Sequence, residues 1–141
     1  MTFEVDSRIR AGSFWLGDWP LSSVYLKNNV YFPWIILIPQ VPDVQEIYQL
    51  SAKDRAQLMS EITALSRIMD DVFKPDKLNV GALGNIVSQL HIHIVARFRY
   101  DKCWPHSIWQ PDVAISSYSL KHTEELVHRL KEQLANIFVL R

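Results

Sequence analysis

The 141-residue sequence has little of several features that mark specialised classes of protein. Cys103 is its only cysteine, so no disulfide can form within the chain, and a reducing, cytoplasmic setting is expected. Its 15 basic and 15 acidic side chains cancel. The sequence therefore has no charge excess of the kind that a duplex nucleic-acid binder or a polybasic membrane anchor needs. A small-molecule partner, anionic ones included, is still compatible with this balance.

Long hydrophobic segments are also missing. The longest apolar run, residues 30–38, is interrupted by Pro33 and is far too short to cross a bilayer. The first six residues carry acidic side chains where a signal peptide has basic ones. With no repeat or linker in the sequence either, we expect one domain over residues 1–141, without membrane association.

Hydrophobic periodicity predicts an α+β domain, with an antiparallel sheet and helices to one side of it. Capping and turn residues set the approximate bounds of the elements. In order, these are a short helix near Asp6–Ala11, a turn at Gly17–Pro20, strands over 22–27 and 34–38, a helix from Ser51 to about 73, strands over 77–83 and 88–97, and a helix over about 119–137.

The strand predicted over residues 88–97 carries the chemistry. Its aliphatic residues alternate with His91 and His93, which therefore share one face about 7 Å apart. Two imidazoles on one face of an aliphatic strand need a reason, because burying polar rings without partners costs free energy. Neutral imidazole can act as nucleophile, base, hydrogen-bond donor or metal ligand near neutral pH.

Three interpretations of this pair compete. In one, an imidazole attacks an electrophile such as phosphorus while the other donates a proton or hydrogen bond. In another, His91 and His93 form half of a zinc site that Cys103 and His106 complete. In the third, the pair binds an anion without turnover. The residues alone favour the first interpretation over zinc.

The segment Gln89-Leu90-His91-Ile92-His93-Ile94-Val95 resembles the signature of the histidine triad (HIT) superfamily, in which three histidines alternate with apolar residues. Gln89 stands where the first histidine would be. Leu26-Lys27-Asn28, Ile38-Pro39 and Gly84-Asn85 also resemble that fold, over roughly residues 14–106. Two tryptophan-proline stretches, at 32–34 and 104–105, resemble a bacterial branch similar to diadenosine tetraphosphate hydrolases.

The resemblance implies a hydrolase or transferase that cuts next to the α-phosphate of a nucleotide, without metal or cofactor. His91 would attack phosphorus to form a nucleotidyl-histidine, and His93 would contact the phosphoryl oxygens and the leaving group. Asn28 would bind ribose, Asn85 would contact phosphate, and the backbone carbonyl of Gln89 would hold Nδ1–H of His91. The resemblance also implies a homodimer and an antiparallel sheet of about five strands, with one long helix after the first strand pair and a C-terminal helix.

Two departures from the family pattern bear on activity. Gln89 lacks a side chain that carries a proton near pH 7, and Trp34 stands where many members have a further histidine. The protein is therefore expected to turn over its substrate more slowly than a member with the full histidine pattern, or to bind nucleotide without useful turnover. Arg97 could reach a phosphate, although an arginine at a strand end is more often a surface charge. Trp104 could stack on a base, with packing against a second subunit favoured.

Overall fold

Alternating apolar residues build the central sheet of the protein. The computed structural model describes residues 2–141, and its five strands are antiparallel in the order β1-β2-β3-β5-β4. The strands are β1 Ser13–Asp18, β2 Ser22–Lys27, β3 Trp34–Pro39, β4 Lys77–Gly81 and β5 Ile92–Arg97; the helices are α1 Ser7–Ala11, α2 Ala52–Phe73 and α3 Leu120–Ala135. This architecture confirms the predicted α+β class.

The two long helices cover one face of the sheet. Leu58 and Leu65 of α2 and Leu130 of α3 pack with inward residues of the strands, among them Ile92 and Ile94, in one buried core. The predicted start of α2 is confirmed, since the Ser51 hydroxyl accepts a hydrogen bond from the backbone N–H of Asp54. These helices leave the opposite face of the sheet, which carries the histidines, to other parts of the chain.

The opposite face has a smaller core of its own. Ile9 of α1 and Ile108 of the long 98–118 segment pack there against Trp34, Ile36 and Val95 of the sheet. Because β5 is covered on both faces, all six of its residues are buried, including the polar His93 and the charged Arg97. The irregular segment after β5 therefore forms part of a second layer, on the face of the sheet opposite the long helices. The sequence patterns alone do not predict this layer.

Strand β1 corrects the prediction of a turn at residues 17–20. Gly17 and Asp18 lie within this strand, whose register shifts between Trp15 and Gly17, and Gly17 has φ of 134°. The strand is extended at its end by the far C-terminus, because the backbone groups of Asp18 and Arg141 exchange two hydrogen bonds. Gly17 and Asp18 also pair with Val24 and Ser23 of β2, so the chain reverses at residues 19–21, just after the strand.

The strand bounds near the histidines also differ from the prediction. Strand β5 begins at Ile92 rather than Ser88, and the backbone N–H of Leu90 bonds to Val44 O outside the sheet. Strand β4 ends at Gly81 rather than residue 83. His91 consequently lies on irregular backbone, one residue before β5 begins.

Over residues 2–141, no helix combines the length and hydrophobicity that a bilayer crossing requires.

Candidate active site

His91 and His93 lie side by side where the chain enters β5. Their ring centroids are 4.8 Å apart with the planes at 75°, and the two residues are only 7% and 9% exposed. Period-two alternation places both on the face opposite the long helices, as the sequence predicts. Two neighbouring, largely desolvated imidazoles form the polar centre of this face.

The tautomer of His91 is set by its own loop. Nδ1 of His91 lies 2.6 Å from the backbone oxygen of Gln89, which can only accept a hydrogen bond. Neutral imidazole has one N–H, so the proton resides on Nδ1 and the lone pair on Nε2 is free. His91 thus offers an unprotonated nitrogen, as a nucleophile requires.

His93 is held in the opposite tautomer. The indole Nε1–H of Trp34, which can only donate, bonds to Nδ1 of His93 at 2.9 Å, so the proton of the neutral ring is on Nε2. Burial, together with smaller effects of the neighbouring His91 and Lys27, lowers the pKa of His93 to about 3. His93 is therefore an uncharged hydrogen-bond donor at neutral pH.

Both histidines open onto a pocket of about 690 Å³, a size typical of small-molecule sites. Trp109 packs against His93 with 5.8 Å between ring centroids and forms part of the wall. The lining residues come from several parts of the chain: Arg8, Ile9, Ser13, Lys27, Trp34, Ile36, 83–87, His91, His93, 108–111 and Val113. Most are apolar or aromatic, and none is a carboxylate.

Lys27 supplies an unneutralised positive charge to this pocket. Within residues 2–141 its ammonium forms no hydrogen bond or ion pair, and it lies 5.6 Å from the centre of the Trp34 ring. Burial lowers its pKa. A half-buried ammonium facing no carboxylate is best compensated by an anionic ligand.

A second, smaller groove of about 260 Å³ meets the pocket at His91. Its walls are residues 45–48, 82–84 and 89–91, and Leu83, Gly84 and His91 line both spaces. A group bonded to Nε2 of His91 could therefore extend in two directions. That arrangement suits a substrate with parts on either side of a central reacting atom.

Several predicted site residues lie where the sequence places them, and others do not. Asn85 lines the large pocket with its side chain exposed. Asn28 is not among the residues that line this pocket, and the adjacent Lys27 lines it instead. Oδ1 of Asn28 accepts a hydrogen bond from the backbone N–H of Tyr118 at 3.0 Å. Alternation along β2 puts neighbouring residues on opposite faces.

Arg97 is neither a surface charge nor a free phosphate ligand. It is 1% exposed and forms an ion pair with Asp101 at 2.8 Å. Four of its five N–H groups are used, since it also donates to Asn79 and to the backbone oxygen of His106. Trp104 lies near this ion pair, 5.9 Å from the guanidinium carbon, and outside the pocket lining.

Sequence reasoning missed the aromatic wall that Trp109 provides. The only available signal was the cluster of tryptophans and prolines over residues 104–111, which indicates an irregular segment lying against the domain. Cys103 and His106, the further ligands of the zinc interpretation, belong to that same segment. Over residues 2–141, no three His, Cys, Asp or Glu side chains are grouped to hold a metal ion.

The fold and this paired-histidine pocket define a domain of the histidine triad type. The HIT domain profile matches residues 10–100, so the chain belongs to the HIT family. Membership suggests nucleotide binding or hydrolysis, because proteins of this family bind small nucleotide ligands and include nucleotide hydrolases. A search of curated proteins gave no match.

Solved structures of bacterial histidine triad proteins superpose on nearly the whole chain. The protein from Bradyrhizobium japonicum is 36% identical, with a TM-score of 0.90 over 94% of this chain and 98% of its own. The one from Marinobacter aquaeolei is 34% identical, with 0.92 over 97% and 99%. The Sinorhizobium meliloti protein is 32% identical, with 0.89 over 94% and 97%.

Proposed function

We propose that the protein is a nucleotide hydrolase or transferase that acts at the α-phosphate of a nucleoside phosphate derivative. One observation carries the proposal: the two imidazoles are fixed in opposite tautomers, with Nε2 of His91 unprotonated and Nε2 of His93 carrying hydrogen. A nucleophile beside a neutral donor is what in-line displacement at phosphorus needs. Family membership supports the same chemistry.

In the proposed reaction, Nε2 of His91 forms a bond to the α-phosphorus while the bond from phosphorus to the leaving group breaks. The resulting nucleotidyl-histidine is hydrolysed by water in a second displacement, which restores the free imidazole. His93 donates Nε2–H to a phosphoryl oxygen as negative charge develops there. A preorganised donor of this kind contributes roughly 10²- to 10³-fold in rate.

The pocket fits a nucleotide in size and charge. Its 690 Å³ and its aromatic wall of Trp34 and Trp109 suit a nucleoside, while Lys27 and the exposed amide of Asn85 suit the anionic part. The smaller groove on the other side of His91 would receive the leaving group. Diadenosine tetraphosphate and a nucleoside phosphoramidate are both candidate substrates, and cytoplasmic location and a homodimer belong to this proposal.

A nucleotide-binding protein with little or no turnover is the alternative, because Gln89 has no proton to exchange near pH 7. A zinc site on His91 and His93 is the weaker alternative. Nδ1 of each ring already bonds within the protein, and further ligands are not grouped around them in residues 2–141.

Release of AMP from adenosine phosphoramidate and from diadenosine tetraphosphate, measured with excess chelator, tests the proposal. We expect wild-type turnover to survive the chelator and His91→Ala to lose at least about 10³-fold in kcat while still binding AMP. His122→Ala is the matched control, since His122 lies on α3 away from the pocket. Turnover that His91→Ala retains would refute the nucleophile, and turnover that requires metal would favour zinc.

A further inference from the structure

The side chain of Gln89 binds the N-terminal segment of the chain. Its Oε1 accepts the backbone N–H of Asp6 and its Nε2 donates to the backbone oxygen of Glu4, both at 2.8 Å. These groups flank Val5, so the amide occupies both backbone positions that a neighbouring strand would fill. One side chain therefore fastens residues 4–6, the N-terminal strap, beside the histidines.

An imidazole could not make the same pair of contacts. The amide of glutamine presents an acceptor and a donor at one end of a flexible side chain, whereas a neutral histidine has its single donor and single acceptor on separate sides of a rigid ring. Glutamine at position 89 is thus suited to a task that the family's histidine cannot perform.

The strap leads directly into the wall of the large pocket. Asp6 caps α1 by accepting the backbone N–H of Arg8, and the next residue, Ile9, is buried against the sheet. Arg8 and Ile9 both line the pocket. Arg8 also donates to the backbone oxygen of Ile86, in the loop that carries Asn85. Strap, helix and loop are joined around the pocket mouth.

We propose that Gln89 is a positioning residue that closes the substrate pocket by holding the N-terminal strap, so that Arg8 and Ile9 form a wall against the bound nucleotide. The inference rests on the proposed function for the identity of the ligand, but not for the strap itself. Glutamine at this position therefore does not titrate near pH 7, but it holds one wall of the pocket in place. Its loss weakens substrate binding more than it slows the chemical step.

The test uses the full chain with Gln89→Ala, Gln89→Glu and, as matched control, Gln133→Ala on α3. Brief trypsin treatment reports on the strap through cleavage after Arg8 and Arg10, with cleavage after Lys131 of α3 as internal reference. Losing two hydrogen bonds should speed the N-terminal cleavage at least about tenfold in Gln89→Ala and leave the reference unchanged. Gln89→Glu keeps only the acceptor and should fall between Gln89→Ala and wild type.

Binding and turnover are then measured on the same variants. We expect Gln89→Ala to raise the dissociation constant for AMP, followed by tryptophan fluorescence, and the KM for adenosine phosphoramidate about five- to tenfold, with kcat within about threefold. If N-terminal cleavage is unchanged in Gln89→Ala, then Gln89 does not hold the strap. If cleavage is faster but the AMP affinity and KM are unchanged, then the strap does not position a wall against the nucleotide. Wild-type protein that binds no nucleotide would defeat the proposed function, while the trypsin comparison would still decide whether Gln89 holds the strap.

Discussion

The bond from Trp34 to His93 gives the sharpest prediction about the proposed chemistry. Trp34→Phe keeps an aromatic ring at a position that is 8% exposed but removes the N–H that Nδ1 of His93 accepts at 2.9 Å. A buried hydrogen bond is worth about 1 kcal/mol, and an orphaned buried acceptor costs about 1–3 kcal/mol. Since protonation of Nδ1 would break this bond, its removal should raise the pKa of His93 by about one unit.

Nitrogen NMR of the imidazoles and steady-state kinetics measure the two consequences. In wild type, Nδ1 of His93 should be unprotonated and the ring should titrate near pH 3. In Trp34→Phe, the titration should move upward by about one unit and kcat should fall about tenfold, because the ring that donates to the phosphoryl oxygen is no longer oriented. Trp15→Phe is the control, since its indole is 52% exposed and bonds only to Asp18.

Two results would refute this reasoning. A wild-type His93 that titrates near its ordinary pKa of 6.5 would mean that the ring is neither buried nor held as described. A Trp34→Phe variant with unchanged titration and unchanged kcat would mean that the indole packs against His93 without fixing it. The NMR measurement does not depend on turnover, so it stands even if the protein only binds nucleotide.

The remaining predictions concern stability. The folded pKa of His93, about 3, lies below its unfolded value of about 6.5, so the unfolded state binds more protons between those pH values. The free energy of unfolding should therefore fall as the pH drops through this window, by up to about 1.4 kcal/mol per pH unit. In His93→Gln, the free energy of unfolding measured with urea should depend less steeply on pH. An equally steep dependence in that variant would contradict the assignment to His93. Arg97→Met should cost about 3–5 kcal/mol because it leaves Asp101 charged and buried, whereas the exposed Arg129→Met should cost less than about 0.5 kcal/mol.

Most of the fold can be predicted from local sequence patterns, because nearby residues determine where most of its helices and strands begin and end. The bounds of β2 match the prediction, and α2 begins after its cap Ser51 and ends at Phe73, as predicted. Strand β1 was not predicted because Gly17 and Asp18 favour a turn on their own, whereas in the structure both pair with β2 and Asp18 also bonds to Arg141. Glu61 is buried within the apolar stripe of α2 because it accepts the backbone N–H groups of Leu21 and Ser22.

The site was predictable in its histidines but not in its surroundings. Period-two alternation finds His91 and His93, but the same rule applied to β2 places Lys27 in the pocket and Asn28 outside it. Arg97, expected as a surface charge, is buried because Asp101 follows four residues later and neutralises it. Contacts of that kind depend on how a loop folds back, which no periodicity encodes.

Gln89 and Trp34 show why a departure from a family pattern is ambiguous when only the sequence is known. Each stands where the resemblance to the family implies an imidazole, so counting imidazoles alone predicts a weakened site. In the structure, each makes a contact that suits its own side chain: the amide of Gln89 bonds two backbone groups at once, and the indole of Trp34 donates without being able to accept. A donor that cannot accept fixes the tautomer of His93 in one sense only, which a histidine at position 34 could reverse. The departures are consistent with a site whose proton positions are set by groups that do not titrate, in place of further imidazoles.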